Sequence, residues 1–273
     1  MAGRPASGPS IHAKAAQGDE GRHLLGHAHP LSGGLDLEIW WLAPGSARSA
    51  VSEGSESLLV VLGGTCDVAV SNGDRWGSLG RRADVFAGAA TSVYLPAATA
   101  VEVASEKGAE LAVARAPADP GGRAYVIRPE EVRRETRGEG SSRRQVHTIL
   151  DATRPADRLL VGETYNAPGG WSSYPPHKHD QHRPPDEARL QEIYHYRFQP
   201  EQGFGVQRVY SPERGIDELL LVEHGDTVLI PFGYHPVVAA PGYSLYYFWA
   251  LAGEGRDLRL QEDPEHAWVA RPA

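Results

Sequence analysis

The punctuation of the chain narrows its fold more than any other feature. From residue 35 to residue 114, short apolar runs recur at Leu35 to Leu42, Ser57 to Leu62, Thr65 to Val70, Ser92 to Leu95, Ala100 to Val103 and Glu110 to Ala114. Each is bounded by Gly, Pro, Asn or Asp, and no long amphipathic helical pattern interrupts them. Strands this brief and this closely spaced specify an antiparallel β-sandwich or barrel, an all-β fold. A second series follows at Leu159 to Thr164, Glu192 to Phe198, Phe204 to Tyr210, Thr227 to Pro231, His235 to Ala239 and Tyr243 to Leu251.

Texture divides the 273 residues further. Residues 1–22 are rich in Ala, Gly, Ser and Pro with little to bury and read as a disordered tail. Residues 23–129 form the first β domain. Residues 130–150 lose the apolar signal to charge and read as a linker, and residues 151–273 form the second β domain. Gly63-Gly64 and Val93-Tyr94-Leu95-Pro96 stand in the first half where Gly203 and Val228-Leu229-Ile230-Pro231 stand in the second. This is the pattern of a duplicated barrel, and only the C-terminal copy carries residues suited to chemistry.

Charge and cysteine usage exclude several classes of partner. A formal net charge of -8 argues against nucleic acid and anionic membranes, both of which are bound through a basic face. Cys66 is the single cysteine, so no intramolecular disulfide forms, and neither a secretory leader nor a membrane-length apolar run is present. A cytoplasmic protein acting on a small molecule is the expectation. Exposed sheet edges and aromatic content are compatible with a homo-oligomer of unspecified order.

The chemistry concentrates in Gly170-Trp171-Ser172-Ser173-Tyr174-Pro175-Pro176-His177-Lys178-His179-Asp180. Residues at i and i+2 of a strand point to one side, so His177 and His179 can converge on an ion while Lys178 faces away. The strand around Glu192 supplies an acid, and Pro231-Phe232-Gly233-Tyr234-His235-Pro236 supplies a third imidazole. Three histidines and one carboxylate make a mononuclear site with positions open to substrate. Alternation also groups Glu192 with Tyr194 and Tyr196, and sends Gln191, Ile193, His195 and Arg197 to the opposite face.

Those segments, with Gln207-Arg208-Val209-Tyr210, Pro241-Gly242-Tyr243-Ser244-Leu245-Tyr246-Tyr247, Arg143-Arg144-Gln145-Val146 and Gly80-Arg81-Arg82-Ala83-Asp84-Val85-Phe86, resemble the 5-deoxy-glucuronate isomerases of the inositol catabolic pathway. The likeness runs from about Leu35 to Trp268. It implies a bicupin fold with its metal site in the C-terminal copy, and conversion of 5-deoxy-D-glucuronate to 2-deoxy-5-keto-D-gluconate. It also implies His177, His179, Glu192 and His235 as ligands of one divalent ion, with zinc or manganese preferred and iron, cobalt or nickel compatible. The chain departs from the family pattern at Arg81, Gly170, Gln191 and His195, none of them a ligand.

Such a reaction moves a carbonyl from C1 to C2 through an enediolate, so it needs charge stabilisation and a proton carrier. Glu163 and Tyr247 are the candidate acid/base residues. The substrate carboxylate calls for a cation, for which Arg144, Arg208 and Lys178 are available, with Arg144 or Arg208 favoured. Trp171, Tyr174 and Tyr243 are candidate pocket walls. Two other classes compete. An iron-dependent cupin dioxygenase would consume oxygen, and a non-enzymatic sugar-binding cupin would carry an attached helical module, which is not visible here.

Overall fold

Strands buried on both faces explain why so many runs in this chain read as continuously apolar rather than alternating. The strand Ser55–Gly64 is buried along nearly its whole length, and so are Ala109–Pro117 and Ser244–Gly253. A computed structural model describes residues 12–14, 22–25 and 29–270 and shows the cause. Four of the five sheets stack in layers, with the two inner sheets packed back to back, and the fifth is a two-stranded ribbon of His177–Lys178 and Gln261–Glu262.

The inner N-terminal sheet has six strands, ordered Tyr125–Ile127, Ser92–Leu95, Ser55–Gly64, Ala109–Pro117, Asp36–Leu42 and Arg22–Leu25. Its outer partner has four, ordered Ser46–Val51, Ala100–Ser105, Cys66–Val70 and Arg75–Leu79. The inner C-terminal sheet has seven strands, ordered His12–Ala13, Thr227–Ile230, Leu190–Gln199, Ser244–Gly253, Leu160–Asn166, Arg144–Leu150 and Arg133–Arg137. Its outer partner runs Trp171–Ser172, Val237–Ala239, Phe204–Ser211 and Ile216–Glu223. All named strand pairs are antiparallel, as expected of an all-β fold.

Period-two alternation sorts the side chains into three cores. In the N-terminal sandwich, Trp40, Leu59, Val61, Leu111 and Val113 fill the space against Cys66, Val68, Val101 and Val103. Their neighbours Ile39, Leu58, Val60, Ala112 and Ala114 point the other way and meet Val161, Ile193, Leu229, Phe248 and Ala250 of the C-terminal half. The third core, inside the C-terminal sandwich, is far more aromatic, with Tyr194, Tyr196, Phe198, Tyr247 and Trp249. The first sandwich is thus packed with hydrocarbon, whereas the second holds the functional residues.

Two buried polar ties fasten the halves. Arg82 donates from Nη2 to Glu163 Oε1 at 2.6 Å and from Nη1 to Oε2 at 3.2 Å, with both side chains almost fully enclosed. The Tyr246 and Tyr165 hydroxyls complete the shell of that carboxylate at 2.9 and 3.1 Å. Glu56, also buried, accepts backbone N–H bonds from Asp157, Arg158 and Leu159 at 2.6–2.7 Å and the Tyr94 hydroxyl at 2.7 Å. Each charge is satisfied on every side, as a buried ion must be to persist.

Two expectations need correction. The charged segment over 130–150 is no free connection: Arg133–Arg137 and Arg144–Leu150 form an antiparallel ladder continuous with the inner C-terminal sheet. Its charge reflects an edge strand, Arg133–Arg137, whose three arginines and one glutamate blunt the unpaired backbone. Most of the tail assigned to 1–22 lies outside the described residues, but His12–Ala13 within it pair with Thr227–Val228. Lys14 there donates to Asp226 at 2.9 Å. Among the described residues no helix is long and apolar enough to cross a membrane.

Removing one partner of the enclosed ion pair leaves a charge stranded in the interface, so Arg82→Ala should lower unfolding stability by about 3–5 kcal/mol, as read by urea titration. Cys66 gives a second check. Burial, aided by Asp67, pushes its thiol up to about 12. The native protein should therefore resist an aromatic disulfide reagent at pH 8 and react once unfolded.

Candidate metal centre

Glu192 enters the C-terminal sandwich on the strand Leu190–Gln199, facing inward together with Tyr194 and Tyr196. Ile193 points into the interface between halves, and Gln191 reaches Gly33 of the N-terminal half, as alternation dictates. Around the Glu192 carboxylate stand His179, with Nε2 3.1 Å from Oε2, and His235, with Nε2 3.3 Å from the same oxygen. All three residues are buried, and their ligand atoms lie within 4.8 Å of one another.

The backbone fixes which imidazole nitrogen faces this cluster. His179 Nδ1 lies 2.9 Å from the Leu190 carbonyl and His235 Nδ1 lies 2.9 Å from the Gly233 carbonyl. A carbonyl can only accept, so each Nδ1 carries a proton and each ring, when neutral, turns its Nε2 lone pair toward the carboxylate. Lone pairs aimed at an anion require a positive charge between them. In place of a cation a proton serves: burial works against charge on His179, yet the hydrogen bond to Glu192 overrides it and raises the imidazole. Burial likewise works against the Glu192 anion, yet the two imidazoles bring its carboxyl down to about 2. The donor set fits a divalent cation without rearrangement of its chemistry.

His177 adjoins this group rather than closing it. Its ring centroid is 5.0 Å from that of His235 and 6.5 Å from that of His179, and it lines the same cavity. Burial, followed by the neighbouring His235 and His179, depresses its protonation well below the ordinary histidine range. It is thus held neutral beside the cluster.

Second contacts brace the ligands. Lys178 faces away from the cluster, as strand geometry requires, and donates to Asp180 at 2.7 Å. Asp180 in turn accepts the Gly233 N–H at 2.9 Å, which ties the histidine-pair strand to the turn carrying His235. Gly233 has φ +87°, and a Cβ there would come within 2.6 Å of the Tyr210 carbonyl, so the turn admits only glycine. The C-terminal segment closes the other side: Glu262 and Gln261 pair with His177 and Lys178, and the Asp263 N–H donates to the Pro176 carbonyl at 2.8 Å.

The cluster opens into a cavity. Tyr247 and Arg144, two of the candidates from the sequence, line it. Tyr247 lies with its hydroxyl 2.5 Å from Ser172 Oγ. Arg137, Thr164, Ser173, Tyr194, Trp249, Leu258 and Leu260 also line it and were not singled out as site residues. Alternation outward from Glu192 and Tyr247 would have found Tyr194 and Trp249. Leu258 and Leu260 arrive from a distant segment with no local signal. Ser173 carries φ +51°, a strained conformation for a residue with a side chain, and its Oγ meets the Tyr194 hydroxyl at 3.0 Å.

Other candidates lie elsewhere. Glu163 is on the opposite face of its strand from Thr164, locked in the pair with Arg82, and cannot reach the cavity. Arg208 sits on the outer sheet, bonded to Asp217 at 2.7 and 2.8 Å. Lys178 is spent on Asp180 and Glu187. Trp171 and Tyr174 pack on each other, with ring centroids 5.3 Å apart, and Tyr243 packs on Phe204 and Gly203; none of these three lines the cavity. Replacing Glu192 with Gln or His235 with Ala should strip bound metal, measured by elemental analysis of the purified protein. Arg208→Ala should retain it in full.

Comparison with known proteins adds a lineage to this geometry. Residues 12–269 match the model of the KduI/IolB family. The chain is 44% identical over 236 residues to a 5-deoxy-glucuronate isomerase of Geobacillus thermodenitrificans, covering 86% of each chain. It is 37% identical over 237 residues to one of Bacillus subtilis, covering 86% of this chain and 87% of that one. Among solved structures, an IolB-like protein from Salmonella typhimurium superposes with a TM-score of 0.90 at 35% identity, covering 96% of this chain and all of that one. Oxalate decarboxylase of Bacillus subtilis, at 12% identity and a TM-score of 0.61 over 93% of this chain and 81% of that one, shares the fold, that of a bicupin.

Proposed function

We propose that this chain, which belongs to the KduI/IolB family, is an enzyme that isomerises 5-deoxy-D-glucuronate to 2-deoxy-5-keto-D-gluconate in inositol breakdown. The observation that carries the reading is the buried His179–Glu192–His235 cluster, two members of which, His179 and Glu192, line a cavity also lined by the phenols of Tyr194 and Tyr247 and the guanidiniums of Arg137 and Arg144. His177 joins those three as the fourth ligand of one divalent ion per chain. Mixed nitrogen and oxygen donors suit zinc or manganese, and iron, cobalt or nickel also fit. Such an ion, when bound, polarises the two adjacent sugar oxygens and stabilises the negative charge that develops on them.

The remaining work falls to the protein. A proton must leave C2 and another arrive at C1, while the hydroxyl proton on O2 leaves and O1 gains one. Tyr247 is the acid/base residue of this reading: it lines the cavity and its hydroxyl is within hydrogen-bond reach of Ser172, which gives a proton a path to a second hydroxyl. Tyr194, paired with Ser173, keeps its own proton, because burial and then the Glu192 charge push its hydroxyl well above the ordinary tyrosine range. It is suited to donate a hydrogen bond and not to act as a base. Trp249, Leu251, Leu258 and Leu260 limit water around the intermediate. The setting proposed is cytoplasmic, and the assembly a homo-oligomer.

Two measurements test this. An anaerobic assay with 5-deoxy-D-glucuronate should yield the ketose at the aerobic rate; dependence on oxygen would put a dioxygenase in its place. Tyr247→Phe should lower kcat by about 10²–10⁴-fold with metal content unchanged, and full turnover by that variant would remove Tyr247 from the mechanism.

A further inference from the structure

The cavity is lined by two guanidiniums, Arg137 and Arg144, that take no part in the proton transfers. Arg137 and Arg144 are register partners across the antiparallel ladder at the edge of the inner C-terminal sheet, and both line the cavity that contains His177, His179 and Glu192. The turn joining their strands includes the short helical segment Gly140–Ser142. Sequence reasoning took this region for a connection, yet it forms one rim of the site.

Arg144 is held without being neutralised. Its Nη1 donates to the Ser142 carbonyl at 2.9 Å and to the Tyr174 carbonyl at 3.4 Å, both uncharged groups. Among the described residues no carboxylate pairs with it, and its Nε and Nη2 make no hydrogen bond. The turn is shaped around it: a Cβ on Gly138 would lie 2.9 Å from Arg144 Nη1 and 2.3 Å from the Ser142 carbonyl, so a side chain at that position would evict the guanidinium. A half-buried, fixed guanidinium with free donors and no counter-ion is prepared for an anion.

Arg137 stands beside it in a different state. Its Nε donates to Glu135 Oε1 at 2.8 Å and Nη2 donates to the same oxygen, leaving Nη1 uncommitted. The rim therefore presents one uncompensated guanidinium and one that is half-spent on its own strand. Together they carry a net charge matched to a single negative group.

We propose that Arg144, assisted by Arg137, is the fork that grips the carboxylate of the sugar acid and so orients the chain, leaving the C1–C2 end for the His–Glu cluster. The proposal rests on the uronate-isomerase reading and deepens it by naming the residues that select an acid over a neutral aldose. Planar guanidinium matches a carboxylate through two parallel bonds, whereas a terminal hydroxymethyl group would leave those donors unpaired. Arg144 and Arg137 are accordingly specificity residues, and the proton transfers do not pass through them.

Two separate experiments distinguish this fork from the reaction itself. In the first, binding of D-glucuronate and of D-glucose to the metal-loaded protein is compared by calorimetry. The parent should prefer the acid by about 10- to 100-fold, and Arg144→Ala should abolish that preference. In the second, steady-state kinetics on 5-deoxy-D-glucuronate should show Arg144→Ala raising KM by a similar factor with kcat within a few-fold. Arg144→Lys should recover part of the loss, and Arg137→Ala should have a smaller effect. Metal content and thermal melting matching the parent qualify each variant, and the neutral near-isostere Arg144→Gln replaces Arg144→Ala if the latter melts early. Equal binding of acid and neutral sugar by the parent, or a kcat loss at unchanged KM, would overturn the fork. Absence of turnover by the parent with its acid preference intact would instead overturn the isomerase reading and leave the fork standing.

Discussion

Back-to-back packing of the two inner sheets is the constraint on which the rest of the molecule depends. It commits one face of each inner sheet to the interface between halves, where Ile39, Val60 and Ala112 meet Val161, Ile193 and Phe248. Only the opposite face of the C-terminal sheet is then free to build a site. Every functional side chain must sit on that parity of its strand: Glu192 but not Ile193, Thr164 but not Glu163, Tyr247 but not Tyr246. A single-residue register slip would drive Glu192 into hydrocarbon and carry the ligand set out of the cavity.

The same constraint explains how two sandwiches of similar plan diverged in content. The N-terminal one closes on Trp40, Leu59, Val61, Leu111 and Val113, and the Glu38 carboxylate beside Trp40 is paired with Arg115. In the C-terminal one, aromatic rings with polar tips replace much of the aliphatic filling, and Tyr194 and Tyr247 lie with centroids 4.4 Å apart beside the ligands. Phenols supply bulk to support the sheet while offering hydroxyls to a pocket, which aliphatic side chains cannot do. The first half contributes rigidity through Arg82 and Glu56 instead of ligands.

Much of this was legible in the sequence because it depends on local rules. The short punctuated runs gave the all-β class, and His177, His179, Glu192 and His235 stood out by residue type and spacing. Parity along the Glu192 strand placed Gln191 and Ile193 correctly on the far face. Glu163 failed because its role depends on Arg82, 81 residues away; nothing near it in sequence says which face of the strand will be sealed. Arg137 was missed because a charged edge strand and a charged connection share a composition, and only pairing with Arg144–Leu150 distinguishes them. Leu258 and Leu260 reach the cavity because residues 258–263 fold back over it, an arrangement set by long-range closure alone.

That fold-back has an implication for the order in which the protein becomes functional. Gln261–Glu262 provide the strand that pairs with His177–Lys178, and Asp263 secures Pro176 just ahead of it while accepting the Tyr210 hydroxyl. During synthesis, the histidine pair therefore emerges from the ribosome some eighty residues before the segment that sets its direction. Until residue 263 has been made, a nascent chain can complete the N-terminal sandwich and much of the second, but the binding cavity lacks a wall. Closure of the site thus waits for residues 258–263, although His177, His179, Glu192 and His235 all precede them.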